Sequence, residues 1–380
     1  MQYLPRTIEP ILRDFLTTFP VVALTGPRQS GKSTLLQQLL SDYTYVTFDD
    51  MRQIALFEDD PERFMQTYAD RIVFDEVQKV PNLFNYIKLA VDRDRGQYGK
   101  FVLTGSSQFL LMRDISESLA GRIGLLSLLP FDCAEIPADL RRQAVWRGAY
   151  PELVTRRFRG ADDWYAAYMD TYISKDIRDL AQIGDLRDFR RLIQLLAAHT
   201  AQLLNLSRFA SDLGVAVSTV KRWVSLLEMS YVIFLLPPYY DNFGKRIVKS
   251  PKVYFYDTGL VASLTGIRSA ELYEQGPMAG SLFENFIVAA ALKRDKHLNL
   301  RSEFYHYRTN HGVEIDLIID RGTQREFIEI KKSSTFRPRM IKVLDEFATQ
   351  ATDGATLIYE GEDLPTIGKV SVQNWSSYFS

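Results

Sequence analysis

"VVALTGPRQSGKSTLLQQLL", residues 21–40, decides the fold of the first part of this chain. An apolar run predicts a buried strand, the glycine-rich centre predicts a turn, and the spacing of the leucines that follow predicts a helix. The centre, residues 26–33, matches the pattern G-x-x-x-x-G-K-[ST], and its place between a strand and a helix is the context in which that pattern binds phosphate. The stretch therefore predicts a P-loop within an α/β domain.

The loop pattern assigns roles to its residues. Backbone N–H groups of a glycine-rich loop at a helix N-terminus surround phosphates. Lys32 is predicted to reach the β- and γ-phosphates of ATP, and the Ser33 hydroxyl to ligate Mg²⁺. The predicted nucleotide-binding residues of the loop are Gly26, Pro27, Arg28, Gln29, Ser30, Gly31, Lys32, Ser33 and Thr34.

"RIVFDEV", residues 71–77, and "KFVLTGSS", residues 100–107, are apolar runs that end in polar residues, as parallel strands with active residues at their carboxyl ends do. Asp75 is predicted to hold the hydration shell of the magnesium ion, and Glu76 to orient and deprotonate the attacking water. Ser106 is the candidate residue that senses the γ-phosphate, although Gly-Ser-Ser is also a common turn.

An arginine often neutralises the transferring phosphoryl group, and it frequently comes from a neighbouring subunit. Arg122, in "SLAGRIG" after the third strand, is the first candidate, and Arg28 within the loop is the second. The sequence therefore predicts an ATP-dependent homo-oligomer, such as a ring, in which Arg122 reaches the next pocket.

Composition limits the class of protein. A length of 380 residues predicts two to four domains, and the 46% hydrophobic and 24% charged fractions are those of a globular protein. The net charge of −1 requires that any nucleic acid be bound by local basic patches. The single cysteine, Cys133, fits a reducing compartment. Without a signal-peptide layout or an apolar run of about 20 residues, the expectation is a cytoplasmic protein that is not in a membrane.

Several short segments occur in a fixed order: "GPRQSGKSTLL", "IVFDEVQ", "LTGSSQFLL", "LAGRIGLLSLLPF", "RGAYPEL" and "KVYFYDTGLVASL". Together they resemble a widespread group of prokaryotic AAA-type ATPases with a C-terminal domain similar to restriction-endonuclease-like, PD-(D/E)xK, folds. The resemblance runs from about residue 5 to residue 360. It implies ATP binding, a helix-turn-helix element in the middle and a nuclease-like end. One departure is Ala149, where the family usually has the second glycine of a Gly-Gly pair.

The C-terminal part offers the residues that a nuclease of this type uses. "GVEIDLIID", residues 312–320, and "EFIEIKK", residues 326–332, read as adjacent strands that bring Asp316 close to Glu329 and Lys331. These carboxylates are predicted to hold Mg²⁺ or Mn²⁺, while Lys331 orients the attacking water. In an alternative interpretation, Glu329 and Lys331 form an ordinary surface ion pair on an inactive scaffold.

A further predicted metal ligand comes from a helix. "GSLFENFIVAAALKR", residues 280–294, is apolar nearly all round and is therefore predicted to be buried. Glu284 lies within it, and a lone buried carboxylate is costly unless it is paired or bound to a metal. The predicted ligands of the C-terminal metal are Glu284, Asp316 and Glu329.

The middle of the chain, "LSRFASDLGVAVSTVKRWVSLL" at residues 206–227, predicts two helices with a turn at Gly214, the layout of a helix-turn-helix. The polar residues that would face the major groove are Ser218, Thr219, Lys221 and Arg222. The residues predicted to act as a basic wing on DNA phosphates are Lys245, Arg246, Lys249 and Lys252. Such domains also serve as protein-binding or lid modules, and that alternative stays open.

The predicted fold class is α/β with four domains. They are a P-loop AAA-type ATPase domain at residues 1–135, a helical lid at 136–185, a winged-helix domain at 186–255 and a restriction-endonuclease-like domain at 256–380. We expect an ATPase whose nucleotide state controls nucleic-acid binding, with metal-dependent cleavage as an open question. The first alternative is a non-cleaving nucleotide switch, and a weaker one is a partner-binding protein of the toxin-antitoxin or phage-defence kind.

Overall fold

The structure is a computed structural model that describes residues 3–94, 96–105, 119–171, 186–239, 249–347 and 353–380. It divides into two compact units. The first consists of Met1–Phe131 and Lys296–Asn299, and the second of Asp132–Asp295 and Leu300–Ser380. Among the described residues, no helix is long and apolar enough to cross a membrane.

Parallel strands form the centre of the first unit. Within its described residues the sheet order is β2-β3-β4-β1-β5, and each neighbouring pair is parallel. The strands are β1 (Val21–Thr25), β2 (Thr44–Thr47), β3 (Ile72–Asp75), β4 (Phe101–Thr104) and β5 (Ile123–Ser127). The helices are α1 (Glu9–Thr18), α2 (Lys32–Leu39), α3 (Met51–Asp59), α4 (Pro61–Thr67) and α5 (Leu83–Arg93). The predicted strand, loop and helix at residues 21–40 are confirmed.

Both faces of this sheet are covered, because successive side chains of β1 enter two different cores. Val21 and Ala23 pack in one cluster, and Val22 and Leu24 pack in the other. All five residues of β1 are buried. A strand buried on both faces reads as an uninterrupted apolar run, which is why the sequence shows no alternation here.

The second unit begins with helices and a small antiparallel sheet. Its strands β6 (Gln202–Leu203), β7 (Ile233–Leu236) and β8 (Lys252–Phe255) pair in the order β6-β8-β7. Between β6 and β7 lie the two predicted helices, and Gly214, at φ +69°, ends the first of them. The helices of this part are α6 (Arg141–Arg147), α7 (Pro151–Thr155), α8 (Ala161–Thr171), α9 (Leu186–Ala198), α10 (Leu206–Leu213), α11 (Val217–Met229), α12 (Thr258–Thr265) and α13 (Ala270–Gln275).

Two segments of the family resemblance meet in the second unit. Gly148 has φ +83°, and a Cβ atom there would lie 2.1 Å from Tyr165 Oη and 2.3 Å from Asp257 Oδ1. The Asp257 carboxylate accepts the Tyr165 hydroxyl at 2.6 Å and the Ala149 N–H at 2.7 Å. A side chain is therefore excluded at position 148, whereas the methyl group of Ala149 is buried at position 149.

The rest of the second unit contains most of a long helix and a mixed sheet. The helix is α14 (Ala279–His297), and the sheet order is β13-β14-β12-β11-β10-β9. The strands are β9 (Glu303–Arg308), β10 (Glu314–Asp320), β11 (Arg325–Lys331), β12 (Asp353–Tyr359), β13 (Leu364–Ile367) and β14 (Val370–Asn374), with α15 (Lys342–Phe347) and α16 (Trp375–Tyr378). β10 pairs antiparallel with both β9 and β11, whereas β11 is parallel to β12. Because Leu317 pairs with Ile328, the register continued by one residue sets Asp316 opposite Glu329.

Candidate functional sites

The phosphate loop joins β1 to α2 with a backbone that needs glycine. Gly26 has φ +143°, and a Cβ atom there would lie only 2.1 Å from the carbonyl oxygen of Leu128. Gly31, at φ +91°, is the N-cap of α2. Gln29 and Thr34 are exposed and Arg28 is half-buried. The helix N-terminus and this loop together present backbone N–H groups where an anion can bind.

Lys32, the first residue of α2, is buried against its own loop. Its Nζ donates to the carbonyl oxygens of Gly26 and Pro27, both at 2.9 Å. Two buried hydroxyl oxygens of this unit, Ser30 Oγ and Thr104 Oγ1, have no hydrogen-bond partner among the described residues. Buried polar groups are normally paired, so these hydroxyls and the loop together fit a polar ligand such as a phosphate.

Asp75 ends β3 beside the loop. The Ser33 hydroxyl lies 3.4 Å from Asp75 Oδ2, and the Tyr45 hydroxyl donates to the same oxygen at 2.6 Å. Burial raises the pKa of the Asp75 carboxyl, and the hydrogen bond from Tyr45 works in the opposite direction. The two residues predicted to hold magnesium are therefore neighbours, and their oxygen donors are the kind that Mg²⁺ prefers.

Tyr45 is a residue that the sequence interpretation missed. Tyr45 lies on β2, two residues before Thr47. Because Thr47 pairs with Asp75, Tyr45 lies alongside the end of β3. The only signal in the sequence is the short polar strand "TYVT", which does not reveal a partner on another strand.

Glu76 has an unusual backbone conformation for a residue with a side chain. Its φ is +57°, in the left-handed region, and its carboxylate accepts a hydrogen bond from Gln78 Nε2. A Cβ atom at Gly105 would lie 2.3 Å from Gln78 Oε1, so Gly105 leaves room for the Gln78 side chain. Left-handed non-glycine residues are concentrated at functional sites, where the surrounding structure holds them.

Arg122 and Ser106 are also predicted to act on phosphate, and the structure describes only Arg122. Arg122 forms a two-pronged ion pair with Asp92 of the same unit, with distances of 2.9 Å from Nε to Oδ1 and 3.1 Å from Nη2 to Oδ2. Its guanidinium is therefore held within its own domain in this structure. Ser106 and the neighbouring Ser107 lie outside the described residues.

The C-terminal acidic cluster gathers side chains from α14, β10 and β11. Lys331 Nζ lies 3.4 Å from Asp316 Oδ2 and also forms an ion pair with Glu329. The backbone N–H of Ile330 donates to Asp316 Oδ2 at 2.9 Å. Glu329 Oε2 is buried without a hydrogen-bond partner among the described residues. The structure thus brings together Asp316, Glu329 and Lys331 as the strand pattern predicts.

Lys252 connects Glu284 to this cluster. Its Nζ lies 2.9 Å from Glu284 Oε1, 2.7 Å from Glu314 Oε1 and 3.7 Å from Asp316 Oδ1. Glu284 Oε1 also accepts the Tyr254 hydroxyl at 2.7 Å. The buried helical carboxylate is therefore paired, which is one of the two outcomes that its burial allows.

The prediction that Lys252 belongs to an exposed basic wing is wrong. The side chain is only 2% exposed, because β8 is the central strand of its sheet and all four of its residues are buried. A buried ammonium requires carboxylate partners. Lys249 is exposed, while Lys245 and Arg246 lie outside the described residues.

The acidic cluster is not arranged as a metal site of three carboxylates. In the part of the chain that the structure describes, no three of its carboxylates bring one oxygen each to within 4.8 Å of one another. Burial, and then the charge of Asp316, raises the pKa of Glu284 to about 7 and that of Glu329 to about 8. Two ammonium groups, Lys252 and Lys331, occupy the positions between the oxygens. The predicted ligands are close together, but lysines hold them.

Comparison with known protein families gives the class of the first unit. Residues 18–137 match the family model described as "AAA domain". Residues 138–271 match "Domain of unknown function (DUF8612)", and residues 279–378 match "Domain of unknown function (DUF4143)". The first unit is therefore an AAA-type P-loop ATPase domain, a class that uses ATP and Mg²⁺. The restriction-endonuclease-like assignment of the C-terminal part stays a prediction.

Two relatives and one solved structure show how far the similarity extends. The "Uncharacterized protein Rv2008c" of Mycobacterium tuberculosis is 33% identical over 333 residues, 85% of this chain and 73% of that protein. This chain belongs to the same family as that mycobacterial protein. The "Uncharacterized protein MJ1544" of Methanocaldococcus jannaschii is 22% identical over 363 residues, 86% of this chain and 78% of that protein. The structure is similar to the Walker-type ATPase PABY2304 of Pyrococcus abyssi, with a TM-score of 0.48, 15% identity, and coverage of 69% of this chain and 99% of that one.

Proposed function

We propose that this protein hydrolyses ATP in the first unit and that its nucleotide state controls nucleic-acid binding by the second. One observation carries the ATPase proposal: the Ser33 hydroxyl of the loop lies 3.4 Å from Asp75 Oδ2 at the end of β3. A phosphate loop and a strand-end carboxylate placed side by side are the two protein elements that hold a nucleotide and its magnesium.

Each residue of the pocket has a proposed task. Lys32 contacts the β- and γ-phosphates, and Ser33 and Asp75 hold the magnesium ion, directly or through its water. When bound, the ion offsets the negative charge of the phosphates. Glu76 orients the attacking water and accepts its proton, and Gln78 holds the Glu76 carboxylate.

A Glu76→Gln variant tests this assignment. The amide keeps the size of the side chain but cannot accept the proton, so we expect hydrolysis to slow by about 10²- to 10⁴-fold. Affinity for ATP should change little, because Glu76 acts on the water alone. Steady-state hydrolysis and a fluorescent-nucleotide titration measure the two quantities. Hydrolysis at the wild-type rate would remove Glu76 from the mechanism.

We also propose that ATP promotes a closed oligomer in which Arg122 reaches the pocket of the next subunit. To do so, Arg122 must leave Asp92, with which it is paired in this structure. Light scattering with a non-hydrolysable ATP analogue should show a larger particle than the nucleotide-free protein. An unchanged monomer would contradict this part of the proposal, and hydrolysis by that monomer would leave the pocket assignment intact.

The nucleic-acid proposal rests on the helix pair α10 and α11, which lies in the chain between strands β6 and β7 of the small antiparallel sheet, a layout typical of winged-helix domains. Ser218, Lys221 and Arg222 are exposed on α11, as side chains that contact DNA must be. A variant with Lys221→Glu and Arg222→Glu should lose ATP-dependent retention of duplex DNA. A matched control with Lys342→Glu and Lys369→Glu, which makes the same charge change elsewhere on the second unit, should retain the DNA.

Metal-dependent cleavage of nucleic acid is a second candidate function, supported by the shared location of Glu284, Asp316, Glu329 and Lys331. In this structure, however, Lys252 binds the oxygens that a metal would need, which favours the non-cleaving switch. A nuclease assay with Mg²⁺ or Mn²⁺, with and without ATP, separates the two functions. Cleavage that disappears in Asp316→Ala would establish the nuclease, and DNA retention without cleavage would establish the switch.

A further inference from the structure

Lys252 is an ammonium group buried between carboxylates that come from distant parts of the chain. Glu284 lies on α14, and Glu314 and Asp316 lie on β10. The lysine side chain is 2% exposed, and three carboxylate oxygens lie within 2.7–3.7 Å of its Nζ. Such a charge is removed from water at a large energetic cost, which only close carboxylates can offset.

Asp316 is shared between two cations. Its Oδ1 lies 3.7 Å from Lys252 Nζ, and its Oδ2 lies 3.4 Å from Lys331 Nζ and accepts the N–H of Ile330. Lys331 differs from Lys252 because its side chain is 38% exposed. The cation that is fully enclosed by the cluster is therefore Lys252, and both oxygens of the central carboxylate are engaged.

An ammonium group at close range to carboxylate oxygens weakens the binding of a divalent cation to those oxygens, because the two cations repel each other. The buried Oε2 of Glu329, which has no hydrogen-bond partner among the described residues, leaves the cluster one unused acceptor. With Lys252 in place, no three of the cluster's described carboxylates bring one oxygen each to within 4.8 Å of one another, so three of them cannot share one ion.

We propose that Lys252 is an internal cation that closes the acidic cluster to divalent metals, and that a metal binds only when this side chain leaves. The inference rests on the proposed metal site of the second candidate function. It makes Lys252 an autoinhibitory contact supplied by the small sheet β6-β8-β7. Because β8 is hydrogen-bonded on both sides, either the side chain must rotate away or the whole sheet must move.

Mn²⁺ binding to the full-length, nucleotide-free protein tests the proposal, with free Mn²⁺ measured by electron paramagnetic resonance. Lys252→Gln removes the ammonium and keeps a polar side chain of similar length. We expect the cluster of this variant to bind one Mn²⁺ at least tenfold more tightly than the wild-type cluster does. Mn²⁺ should also raise the thermal midpoint of the variant more than that of the wild type. The matched control is Lys249→Gln, an exposed lysine three residues earlier, which should bind Mn²⁺ as the wild type does.

A second pair of variants covers the case in which Lys252→Gln alone does not fold. Lys252→Gln with Glu314→Gln removes one charge of each sign, and Glu314→Gln alone is its reference. The double variant should bind Mn²⁺ at least tenfold more tightly than the reference, and adding Asp316→Asn should remove the gain.

Two results overturn the inference in distinguishable ways. Equal Mn²⁺ affinity with and without Lys252 would show that the lysine does not close the cluster, while the proposed metal site would stand. No Mn²⁺ bound at the cluster in any folded variant would overturn both the inference and the proposed site.

Discussion

Lys32 in the first unit and Lys252 in the second are both buried, and their hydrogen-bond partners are opposite in kind. In the first unit, Lys32 Nζ donates to two backbone carbonyl oxygens, and Asp75 accepts the hydroxyl group of Tyr45. In the second unit, Lys252 binds carboxylates directly. Neutral carbonyl dipoles accept the hydrogen bonds of Lys32, whose charge also acts on Asp75, whereas full negative charges surround Lys252.

This difference determines which kind of ligand can bind at each site. A phosphate can replace two carbonyl oxygens around Lys32 and add a stronger, charge-assisted contact. The carboxylates around Lys252 leave no comparable gain for an incoming anion, and an incoming cation must first displace the lysine. The phosphate loop is arranged to bind an anionic ligand. In the acidic cluster, by contrast, lysines of the same chain already neutralise the carboxylates.

The largest expected effect is on ATP hydrolysis. Lys32→Ala should lower the rate by about 10³- to 10⁵-fold, the scale of losing a positive group from the transferring phosphoryl. Lys252→Ala should leave the rate within about twofold of the wild type, because its contacts are to Glu284, Glu314 and Asp316. A phosphate-release assay compares the two variants. Comparable losses in both would break the contrast between the two lysines.

Stability should show the reverse order. Lys252→Met leaves buried carboxylates without their cation, which costs about 3–5 kcal/mol in the free energy of unfolding. Lys32→Met removes hydrogen bonds to two carbonyl oxygens and should cost about 1 kcal/mol. Chemical denaturation of both variants without nucleotide or metal provides the measurement. A cost for Lys32→Met that equals or exceeds the cost for Lys252→Met would contradict the assignment.

The sequence revealed the first site and only part of the second, for physical reasons. A phosphate loop is local, so one continuous segment, residues 21–40, specifies its strand, turn and helix. The pattern of β10 and β11 is also local, and it predicted that Asp316, Glu329 and Lys331 lie together. Lys252 stands in a basic segment, so its local sequence indicated an exposed wing.

Its true partners are 32 to 64 residues away in sequence, at Glu284, Glu314 and Asp316. No local pattern encodes the burial of a single lysine on a central strand. The burial of the Glu284 helix did predict that this carboxylate is paired or bound to a metal, but it could not identify the partner. A long-range ion pair requires the tertiary structure.

Acid should weaken the second unit through His306. Its side chain is buried, with Nε2 3.2 Å from the carbonyl oxygen of Ser250. Burial, and then the charge of Lys252, lowers the pKa of His306 to about 4 from an ordinary value near 6.5. The folded state therefore binds fewer protons than the unfolded state between these values, and its stability falls as the pH drops from about 6.5 to 4.

This loss amounts to roughly 3 kcal/mol at most. His306→Gln should remove it, whereas His311→Gln, at an exposed histidine, should keep it. Urea midpoints of the three proteins at pH 7 and pH 4.5 provide the test. Equal acid sensitivity of the wild type and His306→Gln would show that His306 is not the responsible group.

The smallest expected effect concerns Tyr45. It tests whether the first site is as open to a ligand as the contacts of Lys32 indicate. The Tyr45 hydroxyl donates to Asp75 Oδ2, the same oxygen that faces Ser33. If this hydrogen bond orients the carboxylate, Tyr45→Phe should raise the Mg²⁺ concentration for half-maximal ATP hydrolysis by roughly fivefold, since one hydrogen bond contributes about 1 kcal/mol. If Tyr45 instead competes with magnesium for that oxygen, the Mg²⁺ concentration for half-maximal hydrolysis should fall. Tyr45 would then block Asp75 in the way that Lys252 blocks the acidic cluster. Tyr43→Phe is the matched control, because the Tyr43 hydroxyl donates to the carbonyl oxygen of Gly99. We expect a rise for Tyr45→Phe, because its ring keeps the packing while the carboxylate gains freedom to rotate away from Ser33.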